Sequence, residues 1–171
     1  MIKRADDHFD ALKEIISETK RLILLDYDDP RSFHPVADNP VIHEWARKNI
    51  ENYLLVKDAW IRAALQKLQC TKDDLFAQPV LQTINTFFND QNLTLPESKT
   101  WRNVSANIFS AVDGKRILFE DNNSLFNQLQ TGDPSVKLIR EEIAINMSES
   151  EIHQDVLDFM NKLIRLTRIE K

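Results

Sequence analysis

Glycine scarcity is the feature that most narrows what this chain can build. Only Gly114 and Gly132 occur among its 171 residues. The phosphate-binding loops of nucleotide-binding folds need glycines a few residues apart, because the backbone must approach the phosphates closely. The two glycines are too far apart for either the GxGxxG or the GxxxxGK pattern. The sequence therefore excludes both loops.

The length and composition predict a folded protein with one domain, or one domain with an appendage. Apolar residues make up 42% of the chain and charged residues 29%, a balance unlike that of disordered proteins. With 22 Lys and Arg against 27 Asp and Glu, the formal net charge is −5. General electrostatic attraction for nucleic acid is therefore lacking, and a contact with DNA would have to be local or mediated by metal.

The sequence also bears on location and redox chemistry. No apolar run approaches the roughly 18 residues that a membrane span needs. Residues 1–8 lack the apolar stretch of a secretory signal, so we expect a cytoplasmic protein that does not bind membranes. The single cysteine, Cys70, has no partner for an internal disulfide.

Hydrophobic periodicity predicts an α-rich α/β fold. The first twenty residues show the spacing of an amphipathic helix. The apolar run Leu22–Leu25 is stopped by an acidic turn, which predicts a strand of a partial parallel sheet, buried on both faces. Residues 41–46 fit a second strand, or a helix starting near Pro40, and we favour the strand. Beyond them the apolar spacing predicts helices throughout.

Two aspartates follow the first predicted strand. Asp26 and Asp28 are two residues apart, and alternate residues of an extended chain point to the same side. Two converging carboxylates suit Mg²⁺ or Mn²⁺, which prefer oxygen ligands and can activate water for phosphodiester cleavage. The alternative is a simple turn, since aspartate favours turns after strands. The D-x-D pattern by itself leaves both interpretations open.

A longer pattern resembles a known family. The apolar strand that ends in D-x-D is followed by the motif I-E-N-Y-L-L at residues 50–55, at the start of a helical segment. In this order and spacing the two resemble the later half of the TOPRIM nuclease domain of the overcoming-lysogenization-defect (OLD) family of ATPase-nucleases. A looser likeness covers residues 112–118, where Gly-Lys is followed by apolar residues. The resemblance spans roughly residues 22–118.

The resemblance implies a metal-dependent DNA endonuclease or nickase that acts in phage defence or DNA processing. Asp26 and Asp28 would be ligands of Mg²⁺ or Mn²⁺. Glu51 would be a further acidic group at the edge of the site, or would hold the chain there through hydrogen bonds; alternatively, it satisfies free amides at a helix N-terminus. Lys115 would neutralise charge on the scissile phosphate; alternatively, it is a solvated surface lysine.

The chain also departs from the family. TOPRIM nucleases carry an earlier strand that ends in a glutamate, and OLD proteins carry an ATPase module; neither is found here. We therefore expect a C-terminal portion, with a partial TOPRIM-like segment over residues 1–56 and a helical region over 57–171. It would be incomplete alone and would act on DNA together with the ATPase or the N-terminal TOPRIM portion of the same or a partner protein. The alternative function is that of a non-catalytic helical protein-interaction module.

Overall fold

The computed structural model describes residues 2–27, 39–105 and 107–167. Helices dominate these residues, as the periodicity predicts. The α-helices are α1 (Ile2–Ile15), α2 (Lys57–Leu68), α3 (Gln78–Asp90), α4 (Asn107–Ala111), α5 (Leu125–Gly132), α6 (Arg140–Ile145) and α7 (Gln154–Thr167). Short 3₁₀ helices cover Ile50–Leu54 and Glu149–Glu151, and a π-helix covers Arg116–Glu120.

Two three-residue strands, β1 (Ile23–Leu25) and β2 (Ile42–Glu44), pair in parallel, with Leu24 beside His43. This pairing confirms the predicted parallel sheet and the strand within residues 41–46. The prediction that β1 is buried on both faces is wrong, because Leu24 is 41% exposed. In the described part of the chain the sheet consists of two short strands. So small a sheet gives other elements little area to pack on, and Leu24 stays partly exposed.

By compactness the chain divides into two units. The first comprises Met1–Ala46 and Asp155–Lys171, and the second comprises Arg47–Gln154. The predicted boundary between residues 56 and 57 marks the end of the TOPRIM-like segment. A division by compactness does not test that boundary, which stays a prediction. Of the described helices, none is both long and apolar enough to cross a membrane.

The first unit holds a small aromatic core between β2 and α7. Trp45 is 1% exposed, and its ring centroid lies 5.2 Å from that of Phe159. The Asp155 carboxylate accepts a hydrogen bond from the Ala46 amide at 2.9 Å. Lys162 donates to two backbone carbonyls of residues 39 and 42. These contacts join the strand to the helix.

The second unit contains the main hydrophobic core. Its helices α2, α3, α5 and α6 contribute one buried face each, and Trp60 at the centre also donates its indole N–H to the Leu54 carbonyl at 2.8 Å. The large side chains that are almost fully buried here are Leu55, Trp60, Ile84, Phe88, Leu93, Phe109, Leu118, Leu125, Leu129, Leu138 and Ile143. This core supports the residues that precede α2, which carry the most specific part of the family resemblance.

Candidate functional site

The residue that follows β1 is the first candidate ligand. Asp26 comes directly after Leu25, the last residue of the strand, and is exposed. It belongs to the first unit. Asp28, the second candidate, lies outside the described residues.

Asn52 occupies the centre of a buried polar cluster in the second unit. Its side chain is 0% exposed. The amide Nδ2 donates to the carbonyls of Phe109 and Val112 at 2.8 and 2.7 Å, and Oδ1 accepts from the Gly114 amide at 2.9 Å. Both donor hydrogens and the acceptor are therefore used. One side chain joins the 3₁₀ helix at residues 50–54 to the chain around α4.

Asn49 forms a second link between the same two segments. Its Nδ2 donates to the Asp113 carboxylate at 3.0 Å, and its Oδ1 accepts from the Lys115 amide at 3.3 Å. Lys48 adds an ion pair to the other oxygen of Asp113 at 3.0 Å. We call Asn49, Asn52 and residues 113–115 the asparagine cluster.

The ionisation of Asp113 suits its role in this cluster. Partial burial raises the pKa of the Asp113 carboxyl, but hydrogen bonds and charge from Lys48, the Arg116 amide and the Asn49 amide outweigh burial and lower the pKa overall. The carboxylate therefore stays charged at neutral pH and accepts from all three groups.

Gly114 is required by close packing in the asparagine cluster. A Cβ atom at this position would lie 2.5 Å from Asn52 Oδ1 and 2.8 Å from the Asn52 backbone nitrogen. Side-chain carbon atoms do not approach other atoms so closely without displacing them. The Asp-Gly-Lys sequence can therefore pack against the I-E-N-Y-L-L motif only because Gly114 has no side chain.

Glu51 lies in the same 3₁₀ helix but points to other partners. It is 7% exposed, and its Oε1 accepts a hydrogen bond from Arg140 Nε at 2.9 Å. The Arg140 guanidinium also lies over the Phe119 ring, 4.3 Å from its centroid. Glu51 is thus held by a charge-assisted bond to the first residue of α6.

Lys115 is close enough to this pair to be affected by its charges. Its side chain is 49% exposed, and Nζ forms an ion pair with Glu120 at 3.0 Å. The hydrogen bond and charge of Glu120 raise the pKa of Lys115; the Glu51 charge raises it further, and Arg140 acts in the opposite direction. The structure therefore brings Glu51 and Lys115 into one electrostatic environment, with Lys115 kept as a cation.

Sequence reasoning did not single out several residues of this region. Asn52 stands inside the motif at residues 50–55 and Asn49 directly precedes it, so the two asparagines were visible in the sequence beside the motif. Arg47 is 3% exposed and donates to the Asn52 carbonyl at 2.8 Å, with its guanidinium 4.8 Å from the Tyr53 ring centroid. Arg140 gave no signal, because it is 89 residues from Glu51 in the sequence.

Potential metal ligands do not cluster in the part of the chain that the structure describes. Across residues 2–27, 39–105 and 107–167 there is no group of three or more His, Cys, Asp and Glu side chains that could hold a metal ion. A carboxylate such as Asp26 has the hard oxygen that Mg²⁺ and Mn²⁺ prefer, but one such ligand leaves most of the coordination shell to other groups. Asp26 therefore offers one oxygen ligand of the predicted pair.

The surface cations of this region are balanced by nearby acids. Lys48, Lys115, Arg116 and Arg140 pair with Asp113, Glu120, Asp121 and Glu51, respectively. Equal numbers of positive and negative charges give no net attraction for a polyanion. A phosphate that approached these cations would compete with the carboxylates already paired with them.

Comparisons with protein-family models, with curated proteins and with solved structures give no match for this chain.

Proposed function

We propose that this chain is the C-terminal portion of a metal-dependent, TOPRIM-type DNA nuclease of the OLD kind, incomplete by itself. One observation supports the proposal most. Residues 50–55 carry the most specific part of the resemblance and residues 113–115 belong to the looser part; they are far apart in the sequence, and yet the Gly114 amide donates a hydrogen bond to Asn52 Oδ1. Asn49, directly before the motif, adds hydrogen bonds to Asp113 and Lys115. Contact between the two segments is what a shared functional site would require.

Each candidate residue has a role in this proposal. Asp26 and Asp28 would hold Mg²⁺ or Mn²⁺ at the carboxyl end of β1. Bound metal would supply Lewis-acid stabilisation of the phosphoryl oxygens and an activated water. Within the second unit, Lys115, with its raised pKa, stays protonated and would neutralise phosphate charge by leaving Glu120. Glu51, held by Arg140, would order its own segment of that unit.

The proposal includes a missing acidic partner. Two-metal cleavage needs enough carboxylates to hold ions at both the attacking and the leaving oxygen. The N-terminal TOPRIM portion, with its strand ending in glutamate, would supply that ligand. It would be carried by the same longer protein or by a partner that also holds the ATPase.

Supercoiled plasmid tests this function. We expect no nicking by the 171-residue chain alone in Mg²⁺ or Mn²⁺. Nicking should occur when the chain is combined with an N-terminal TOPRIM portion of an OLD-type protein, and Asp26→Ala should abolish it. Asp10→Ala, which changes an exposed aspartate of α1, serves as the matched control. Nicking that persists in Asp26→Ala would contradict the assignment.

A second candidate function is a non-catalytic helical protein-interaction module. It is favoured by Leu75 and Phe76, which are 84% and 87% exposed in the second unit. Large apolar side chains exposed next to each other are typical of binding surfaces. Binding through these residues would persist when every candidate ligand of the nuclease site is substituted, which distinguishes the two functions.

A further inference from the structure

Leu75 and Phe76 project from an ordered turn between α2 and α3. The Asp74 side chain accepts hydrogen bonds from the Thr71 amide and hydroxyl at 2.6 and 3.0 Å. The Ala77 amide donates to the Asp74 carbonyl at 3.0 Å, and Ala77 itself is fully buried. Because this backbone is already held, binding through the two exposed side chains would need little additional ordering.

A groove adjoins these two side chains. It has a volume of about 280 Å³ and lies between α3 and α5. Pro79 and Val80 from α3 and Leu129 from α5 line it, together with Leu75 and Phe76, and Asp133 stands among the lining residues. We call this feature the Leu-Phe groove. Its lining is mostly apolar, as is usual for a site that receives an apolar anchor.

The charge around the Leu-Phe groove is acidic. Asp73 and Asp74 directly precede Leu75, and Asp133 lines the groove. Hydrogen bonds from Thr71 lower the pKa of Asp74, and those from Ser135 lower the pKa of Asp133, so both carboxylates are charged at neutral pH. Lys72 is the nearest cation in the sequence, and the turn keeps an excess of negative charge.

The negative charge around the groove favours a basic partner segment over a second copy of this chain as the occupant. In a symmetric pairing of two copies the same patch would face itself, so Asp73, Asp74 and Asp133 would meet their own counterparts. Like charges brought together at an interface disfavour that pairing. A segment with an apolar anchor beside lysine or arginine would instead be complementary in both shape and charge.

We propose that the Leu-Phe groove docks a segment of a partner protein in which an apolar anchor side chain is flanked by lysine or arginine. Leu75 and Phe76 cover the anchor, and the negative charge of Asp133 in the groove and of the acidic turn before Leu75 attracts the flanking cations. The proposal deepens the second candidate function and does not depend on the nuclease proposal, since neither Glu51 nor Lys115 is among the residues that line the groove.

A fluorescent peptide tests the docking on the full chain. The probe is a short amphipathic helix with leucines at helical spacing flanked by lysines, and its counterpart has glutamate at every lysine position. Fluorescence anisotropy should give affinity for the lysine peptide at least about tenfold higher than for the glutamate peptide, and Phe76→Ala should reduce it about tenfold. Asp73→Asn should reduce it to a smaller extent.

Two controls make the test specific. Ile145→Ala removes another exposed apolar side chain, on α6, and should leave peptide affinity unchanged. Circular dichroism should show the same helix content in all variants, because the substituted side chains are exposed. Equal affinity for the two peptides, or an unchanged affinity in Phe76→Ala, would overturn the proposal. Concentration-dependent self-association in sedimentation velocity that is lost in Phe76→Ala would also overturn it, in favour of a second copy.

Discussion

The asparagine cluster and the end of β1 carry different parts of the same family resemblance, and they differ in physical character. Asn52 is buried, and its polar atoms are paired within the protein. Asp26 is exposed at the end of a three-residue strand. A buried, satisfied network defines one packing arrangement, whereas an exposed carboxylate can accept a ligand. Asn52 therefore has an architectural role within the motif that is easiest to recognise in the sequence, whereas metal binding at Asp26 and Asp28 stays a prediction from the weaker D-x-D pattern.

The largest effect is expected from Asn52→Ala. The substitution leaves the Gly114 amide and the carbonyls of Phe109 and Val112 buried without their partner. An unsatisfied buried polar group costs about 1–3 kcal/mol, so we expect the free energy of unfolding to fall by about 3 kcal/mol or more. Urea unfolding measures the change. Asn89→Ala, at an exposed position of α3, should change stability by less than about 0.5 kcal/mol. Equal effects of the two substitutions would refute the architectural role.

The two glycines provide a matched pair for the second prediction. Gly114→Ala forces a Cβ atom against Asn52 and should lower the free energy of unfolding by about 1–3 kcal/mol, the usual range for overpacking. Gly132→Ala meets no atom within 4 Å at the end of α5 and should leave stability unchanged or slightly higher. Thermal unfolding of both variants measures the difference. A tolerated Gly114→Ala would mean that the two segments separate easily.

The buried histidine of the first unit behaves unlike the asparagines, because it titrates. His43 is 5% exposed, and its Nε2 lies 3.2 Å from the Asp155 carboxylate without the alignment of a hydrogen bond. Burial lowers the pKa of His43 below its usual 6.5; Asp155 and Asp158 act against that shift, and Lys162 adds to it. The folded protein therefore binds this proton less readily than the unfolded chain.

This difference predicts the sign of a pH effect. As the pH falls below 6.5, the unfolded chain takes up a proton that folded His43 does not, so the first unit loses stability until His43 itself is protonated. Well above pH 6.5 His43 is neutral in both the folded and the unfolded chain, so it contributes no pH dependence to the free energy of unfolding. NMR titration of His43 should give a pKa below 6.5, and His43→Gln should reduce the loss of stability on acidification. His8→Gln, at an exposed position of α1, is the control. A His43 pKa above 6.5 would reverse the predicted sign.

Sequence patterns predicted the local elements better than the contacts between them. The apolar spacing of α2 and α3 and the run before Asp26 were sufficient to predict helices and a strand, because these signals are periodic. The same run gave a wrong expectation about Leu24, since an apolar stretch does not tell how many strands and helices cover it. The sequence pattern could not predict the partners of Asn52, which are backbone groups 57 to 62 residues away. Such groups occur in every type of residue and therefore leave no signal in a sequence.

For the candidate site the sequence singled out residues but not their contacts. The motif at residues 50–55 drew attention to Glu51, and Gly-Lys drew attention to Lys115, and their roles in a site stay predictions. The link from Glu51 to Arg140 depends on how α6 packs in the second unit, and no local pattern contains that information. Whether Asp26 and Asp28 bind metal remains a prediction from the D-x-D pattern and the resemblance.

Titration with Mn²⁺, followed by paramagnetic broadening in NMR spectra, tests this metal site most directly. Our account predicts weak binding that broadens the signals of residues 26–29 first, because two carboxylates without a third leave most of the shell to water. Asp26→Asn should remove the broadening with little change in stability, and Asp10→Asn should leave both unchanged. Broadening that begins at Glu120 and Asp121, or along α7, and that is unaffected by Asp26→Asn would contradict the account.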